Sequence, residues 1–187
     1  EHRDRQPDRD LVQPDPERLV YMLHKPPGAM TTREDPEGRH TVMEAFPPSL
    51  RKRMYPIGRL DFHTEGLLLF TNDGDLALRL THPRYKLEKT YLAKVSGIPR
   101  GADLERLKKG VVLEGRRTLP CRIFVLEQDR SSHTWLKIML SEGKKNQIRE
   151  MFFRIGCPVM RLRRSHVGPL ALGSLPRGAF RPLTADE

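Results

Sequence analysis

Two rhythms of apolar residues alternate along this chain. Over residues 146–156, NQIREMFFRIG, the side chains of Ile148, Met151, Phe152 and Ile155 fall at i, i+3, i+4 and i+7. That is one stripe of a helix, with Asn146 positioned to cap its start and Gly156 to end it. Residues 101–110 repeat the pattern with Leu104, Leu107 and a closing Gly110, and residues 75–82 do so with Leu76 and Leu80 on one face. Elsewhere a period of two or a short unbroken apolar run takes over. GLLLFT (66–71) predicts a buried strand, and KTYLAKVSG (89–97) and HTWLKIML (133–140) predict two more. Residues 111–128 predict a strand, a turn and another strand, and LVYMLHKPPG (19–28) predicts a strand ending in a Pro-Pro-Gly turn.

The polar intervals punctuate these elements. Residues 31–40 read as a turn-rich loop, and residues 41–46 as a short helix stopped by Pro47-Pro48. Asn72-Asp73-Gly74 reads as a hairpin turn, and residues 157–184 as short strands and loops. Runs of neighbouring strands with few helices between them predict an α+β fold with antiparallel sheet rather than a doubly wound one. No internal repeat is visible.

Composition narrows the partner. The 187 residues suffice for one domain or two lobes sharing a core. A net charge of +10 and a pI near 10.0 point to a polyanion, nucleic acid first. The first 20 residues carry four arginines and six acids, so the rest of the chain holds +12. Residues 1–18, proline-rich and almost without apolar content, read as a linker or tail, and residues 19–187 as the working domain, two lobes on one sheet. The absence of an initiator Met suggests a fragment or processed form. Cys121 and Cys157 lack metal or redox spacing and are expected to be reduced thiols in a cytoplasmic protein; no apolar run reaches the ~20 residues of a membrane helix.

Two places carry chemistry. Asp61 stands beside Arg59 and between Leu60 and Phe62, in YPIGRLDFHTEGLLLFTNDG. Flanking apolar residues would desolvate the carboxylate and raise its pKa, while a nearby guanidinium would hold it ionised; such a group serves as nucleophile or base, and the alternative is a surface turn aspartate. The second place is the start of helix 146–156, where Lys144, Lys145 and Arg149 oppose the helix dipole. Three explanations stand: an anion site, a buried carboxylate paired with Arg149, or a solvated basic loop. The seven histidines show no metal spacing, and no phosphate-binding glycine loop is present. Asp61 with Glu65 would make a glycosidase-like pair only with the right geometry. Trp135 and the Phe152-Phe153 pair fit a core better than a base-stacking platform.

Taken together, four segments resemble the ribosomal pseudouridine synthases of types A (small subunit) and B (large subunit): HKPPGAMTTREDPEGRHTV, GRLDFHTEGLLLFTNDG, KTYLAKVSG and SEGKKNQIREMFFRIGCPVMRLRRSHVGPLALGSLPRGAFRPLT. The resemblance spans about residues 19–184 and keeps the family's motif order. It implies a pseudouridine synthase fold, a mixed, mainly antiparallel sheet with flanking helices and a central cleft. Asp61 matches the catalytic aspartate, Tyr91 the tyrosine that stacks on the target base, Ile148 an apolar contact to that base, and Arg149 the basic partner of the carboxylate. Arg59 matches a residue that helps hold the place of the flipped-out nucleotide. Lys144, Lys145 and Gln147 are expected to contact RNA, although the family often carries further arginines in this stretch. The family uses no metal or cofactor and usually carries a small RNA-binding domain upstream.

The implied reaction is isomerisation of a uridine in ribosomal RNA to pseudouridine. Large-subunit RNA is favoured because DPEGRHTV looks closer to that group of enzymes, with small-subunit RNA as the alternative. A monomer is expected. Attack on the sugar, attack on the base and removal of a sugar proton are all open to Asp61. The rivals are a catalytically silent RNA-binding or ribosome-assembly protein on the same fold, and a glycosidase or nuclease using Asp61 and Glu65.

Overall fold

At the centre of the molecule lies an apolar strand in which all seven residues are buried. In the computed structural model, which describes residues 17–130 and 132–187, this is β3 (Glu65–Thr71). It is the third of eleven strands among the described residues; β1 (Val20–Lys25) and β2 (Tyr55–Ile57) precede it, and both pair with it antiparallel. After it come β4 (Lys89–Ser96), the short ribbon β5 (Val112–Leu113) and β6 (Arg116–Arg117), then β7 (Arg122–Asp129) and β8 (His133–Leu140). The last strands are β9 (Val159–Val167), β10 (Leu170–Ala171) and β11 (Phe180–Pro182). The main sheet runs β11-β1-β3-β9-β4-β8-β7, with β2 beside β3 and β10 beside β9. Every pairing in it is antiparallel except β3 with β9, a two-rung parallel joint of Glu65 with Arg163 and Gly66 with Arg164. The α+β, mainly antiparallel architecture is the expected one.

That joint demands glycine. Gly66 has φ 117, and a Cβ there would lie 2.2 Å from the Arg164 carbonyl oxygen. No other residue allows the two backbones to approach so closely.

The helices are short: α1 (Pro48–Arg51), α2 (Gly74–Thr81), α3 (Gly101–Lys109) and α4 (Gln147–Arg154). On one half of the sheet, Leu104 and Leu107 of α3 and Ile148, Met151 and Phe152 of α4 pack with Leu136 and Ile138 of β8. On the other half, Phe46, Met54 and Leu60 pack with Leu23, Leu68 and Phe70. A third cluster, around Met22, Leu67, Leu69 and Val167, is built from β1, β3 and β9. Tyr91 packs against both of the first two, at the seam between them.

Four expectations need correction. Asp73 does not make a hairpin turn: its side chain accepts from the Leu76 N–H and caps α2. Asn146 adopts the left-handed conformation, φ 52, and makes no side-chain cap to α4. The segment after residue 157, read as short strands, holds the nine-residue β9, central in the sheet; its arginines hid the alternation. Phe153 is 68% exposed, whereas its neighbour Phe152 is fully buried, so only one of that pair is core. Of the proposed tail, residues 1–16 lie outside the described residues. Arg18 is tied to Asp73 at 2.9 Å, and the Glu17 carbonyl accepts from Asn72.

Candidate active site

Asp61 lies in the turn between β2 and β3, and that turn is gripped from both ends. On one side the Thr31 hydroxyl donates to the Leu60 carbonyl at 2.7 Å and accepts from the Leu60 N–H at 3.3 Å. On the other, the Gly28 N–H donates to the Phe62 carbonyl at 2.7 Å. Lys25, fully buried at the end of β1, donates to the carbonyls of Thr64 (2.7 Å), Pro26 (3.0 Å) and Phe62 (3.2 Å). An ammonium with three donors satisfies three carbonyls and fixes the loop that presents Asp61. Burial pulls the Lys25 pKa down to about 8, while the charges of Asp61 and Glu65 oppose the shift.

Neither Lys25 nor Thr31 stood out in the sequence as a site residue. The available signal was a lysine ending an apolar strand just before Pro-Pro-Gly, a position that buries a cation and so requires partners.

The cleft beside Asp61 has a volume of about 330 Å³. Every residue expected at the site lines it: Arg59, Asp61, Tyr91, Lys144, Lys145, Gln147, Ile148 and Arg149. Asp61 is half-buried; Leu60 beside it is buried, but Phe62 is 36% exposed, so the apolar flank is one-sided. Leu140, Ile148 and Leu162 give the cleft an apolar wall, and Tyr91 is half-buried there.

Arg149 comes from α4, nearly ninety residues along the chain, and is half-buried. Its Nη2 donates to the Thr64 hydroxyl at 3.4 Å, and its Nε is buried with no hydrogen-bond partner among the described residues. Burial lowers its pKa and the Asp61 charge works against that. The guanidinium and the carboxylate thus share one cleft and feel each other through it, but no direct ion pair between them is present among the described residues.

Gln147 is only 3% exposed and its amide is committed within the protein. Its oxygen accepts from the Lys144 N–H at 3.2 Å and its nitrogen donates to Glu142 at 2.8 Å. It braces the loop before α4, a different task from the RNA contact expected of it. Glu65 is 1% exposed, does not line the cleft, and pairs with Arg161 and Arg177, each at 2.7 Å. Asp61 and Glu65 therefore do not form the two-carboxylate pair of a glycosidase. Among the described residues no group of three or more His, Cys, Asp or Glu side chains is arranged to hold a metal ion.

Comparison with known proteins gives one consistent result. Residues 19–153 match the family of RNA pseudouridylate synthases. The ribosomal large subunit pseudouridine synthase B of Bacillus subtilis is 41% identical over 172 residues, covering 91% of this chain and 70% of the relative. The ribosomal large subunit pseudouridine synthase E of Vibrio parahaemolyticus is 36% identical, covering 89% of this chain and 74% of the relative. A crystal structure of a pseudouridylate synthase superposes with a TM-score of 0.82 at 31% identity, over 91% of this chain and 72% of that one.

Proposed function

The chain belongs to the RNA pseudouridylate synthase family, and from that membership we propose that it isomerises a uridine of large-subunit ribosomal RNA, acting as a monomer through Asp61. The observation that carries the assignment to Asp61 is the shared cleft: a half-buried carboxylate, a half-buried guanidinium with an uncommitted Nε, an aromatic ring and an apolar wall around about 330 Å³. That combination suits one extruded nucleotide better than a continuous helix.

The target uridine leaves its stack at a cost of a few kcal/mol, offset in part by phosphate contacts in a basic cleft. Tyr91 stacks on the extruded base, a contact worth about 1–3 kcal/mol, and Ile148 closes the apolar side. The bond from C1′ to N1 breaks, the uracil turns within the cleft, and a bond from C1′ to C5 forms. The C5 proton is lost and N1 gains one, so the product is an isomer and no co-reactant is consumed. Asp61 drives glycosidic cleavage; Arg149, held by Thr64, keeps positive charge beside it.

The preference for large-subunit RNA has support in the relatives, both named as large-subunit enzymes. Incubating the protein with each ribosomal RNA and mapping new pseudouridines tests it. One modified position in the large-subunit RNA is expected; modification confined to small-subunit RNA would overturn the substrate assignment.

A further inference from the structure

A groove of about 620 Å³ opens off the Asp61 cleft and shares Arg59, Tyr91, Gly143 and Lys144 with it. Beyond the shared residues it is lined by Lys86, Lys89, Arg116, Arg117 and Arg164, against one carboxylate, Glu142. That carboxylate is already engaged, accepting from the Leu119 N–H at 2.7 Å and from Gln147 at 2.8 Å. Arg59, Lys86, Arg116 and Arg117 make no side-chain ion pair among the described residues. Lys89 is half-buried, and burial together with the neighbouring Arg164 charge lowers its pKa. Like charges gathered in a concave site, with their one acid committed elsewhere, raise the local potential and favour an anionic ligand.

The arginines stand on a fixed base. The β5–β6 ribbon lies apart from the main sheet, yet Lys144 Nζ donates to the Arg117 carbonyl at 2.9 Å, and Arg154 donates to the Val112 carbonyl. The exposed guanidiniums of Arg116 and Arg117 are thereby held beside the loop that borders Asp61. The other extension of the cleft differs. Past the residues it shares with the cleft, it adds Met30, Phe62, Phe153 and Val159 but no lysine or arginine. Of these two extensions, only the groove past Tyr91 adds lysine or arginine to the cations of the cleft.

We propose that this groove is a second RNA subsite, in which Arg116 and Arg117, with Lys86 and Lys89, hold backbone phosphates on one side of the target nucleotide. The enzyme then grips its substrate asymmetrically, by phosphate on the Tyr91 side. The proposal rests on RNA being the substrate.

The test uses the full chain and a fluorescently labelled single-stranded oligouridylate, with binding measured by anisotropy across a salt series. Each single-strand phosphate neutralised contributes a slope of about 0.7 in log affinity against log salt, so R116Q/R117Q lowers the slope by about 1.4 and weakens binding about 25-fold near 0.1 M salt. K86Q lowers the slope by about 0.7. The control K52Q/K109Q removes the same charge from exposed positions outside the groove and leaves the slope unchanged. Equal shifts in both double variants, or no shift in R116Q/R117Q and K86Q, would overturn the subsite. Pseudouridine formation by the unsubstituted protein on ribosomal RNA, followed in parallel, separates the two readings: no product defeats the isomerase assignment and leaves the slope comparison intact.

Discussion

Lys25 holds an ammonium where no water reaches it, and the three carbonyls around it set how firmly Asp61 is presented. Its pKa falls from 10.5 in the unfolded chain to about 8 in the fold. Below pH 8 both states are charged and the burial penalty, about 3 kcal/mol, is present in full. Between pH 8 and 10.5 the unfolded chain binds more protons, so this group makes stability rise with pH. Function moves the other way. A neutral amine has two donors for three carbonyls, and the Asp61 loop loosens. Turnover is expected to fall above about pH 8 with no accompanying drop in Tm, and Lys25→Met to be less stable by about 2–4 kcal/mol and to lose that limb of the pH profile. A pH–rate series with matched thermal melts checks this; a wild-type profile that stays level through pH 8 contradicts it. Asp61 and Arg149 were legible in sequence because each breaks a local rule, a carboxylate beside an apolar run and a cation at a helix start. Lys25 was not, because its partners lie up to 39 residues away.

At the level of elements, the pattern of periods found the longer helices and most of the longer strands, missed the short α1 and β2 and merged β5 to β7 into two strands, and failed where charge or backbone shape overrode it. β9 carries three arginines and a histidine in nine residues, so its buried positions, Leu162, Arg164 and Val167, did not read as a strand. Arg164 is buried because its Nε donates to the Leu67 carbonyl at 2.8 Å, a partner nearly a hundred residues away that no local window contains. Gly66 looked like the start of an apolar run and proves to be the joint that lets β3 meet β9. Gly66→Ala is predicted to cost more than about 3 kcal/mol, because the added methyl collides with backbone rather than with a movable side chain. Chemical denaturation measures it; a loss of under about 1 kcal/mol would mean the joint yields more easily than a close-packed sheet should.

Over the whole molecule, the cleft is the seam between two cores. Leu60 is rooted in one and delivers Asp61; Ile148 is rooted in the other and delivers Arg149; Tyr91 touches both. Sequence periodicity could not foresee this seam, since it depends on the order of strands across the sheet, yet motif order carried the same information. What periodicity and composition did convey was a basic, α+β chain suited to a polyanion, and the structure sets that charge in a groove leading from Asp61.

The most direct test replaces Asp61 by Asn, which preserves size while removing the charge, and measures single-turnover pseudouridine formation together with RNA affinity. Product formation is expected to fall by at least about a hundredfold, while affinity holds or tightens, a negative charge having been removed from a basic cleft. Formation of pseudouridine at the wild-type rate by Asp61→Asn would contradict the account.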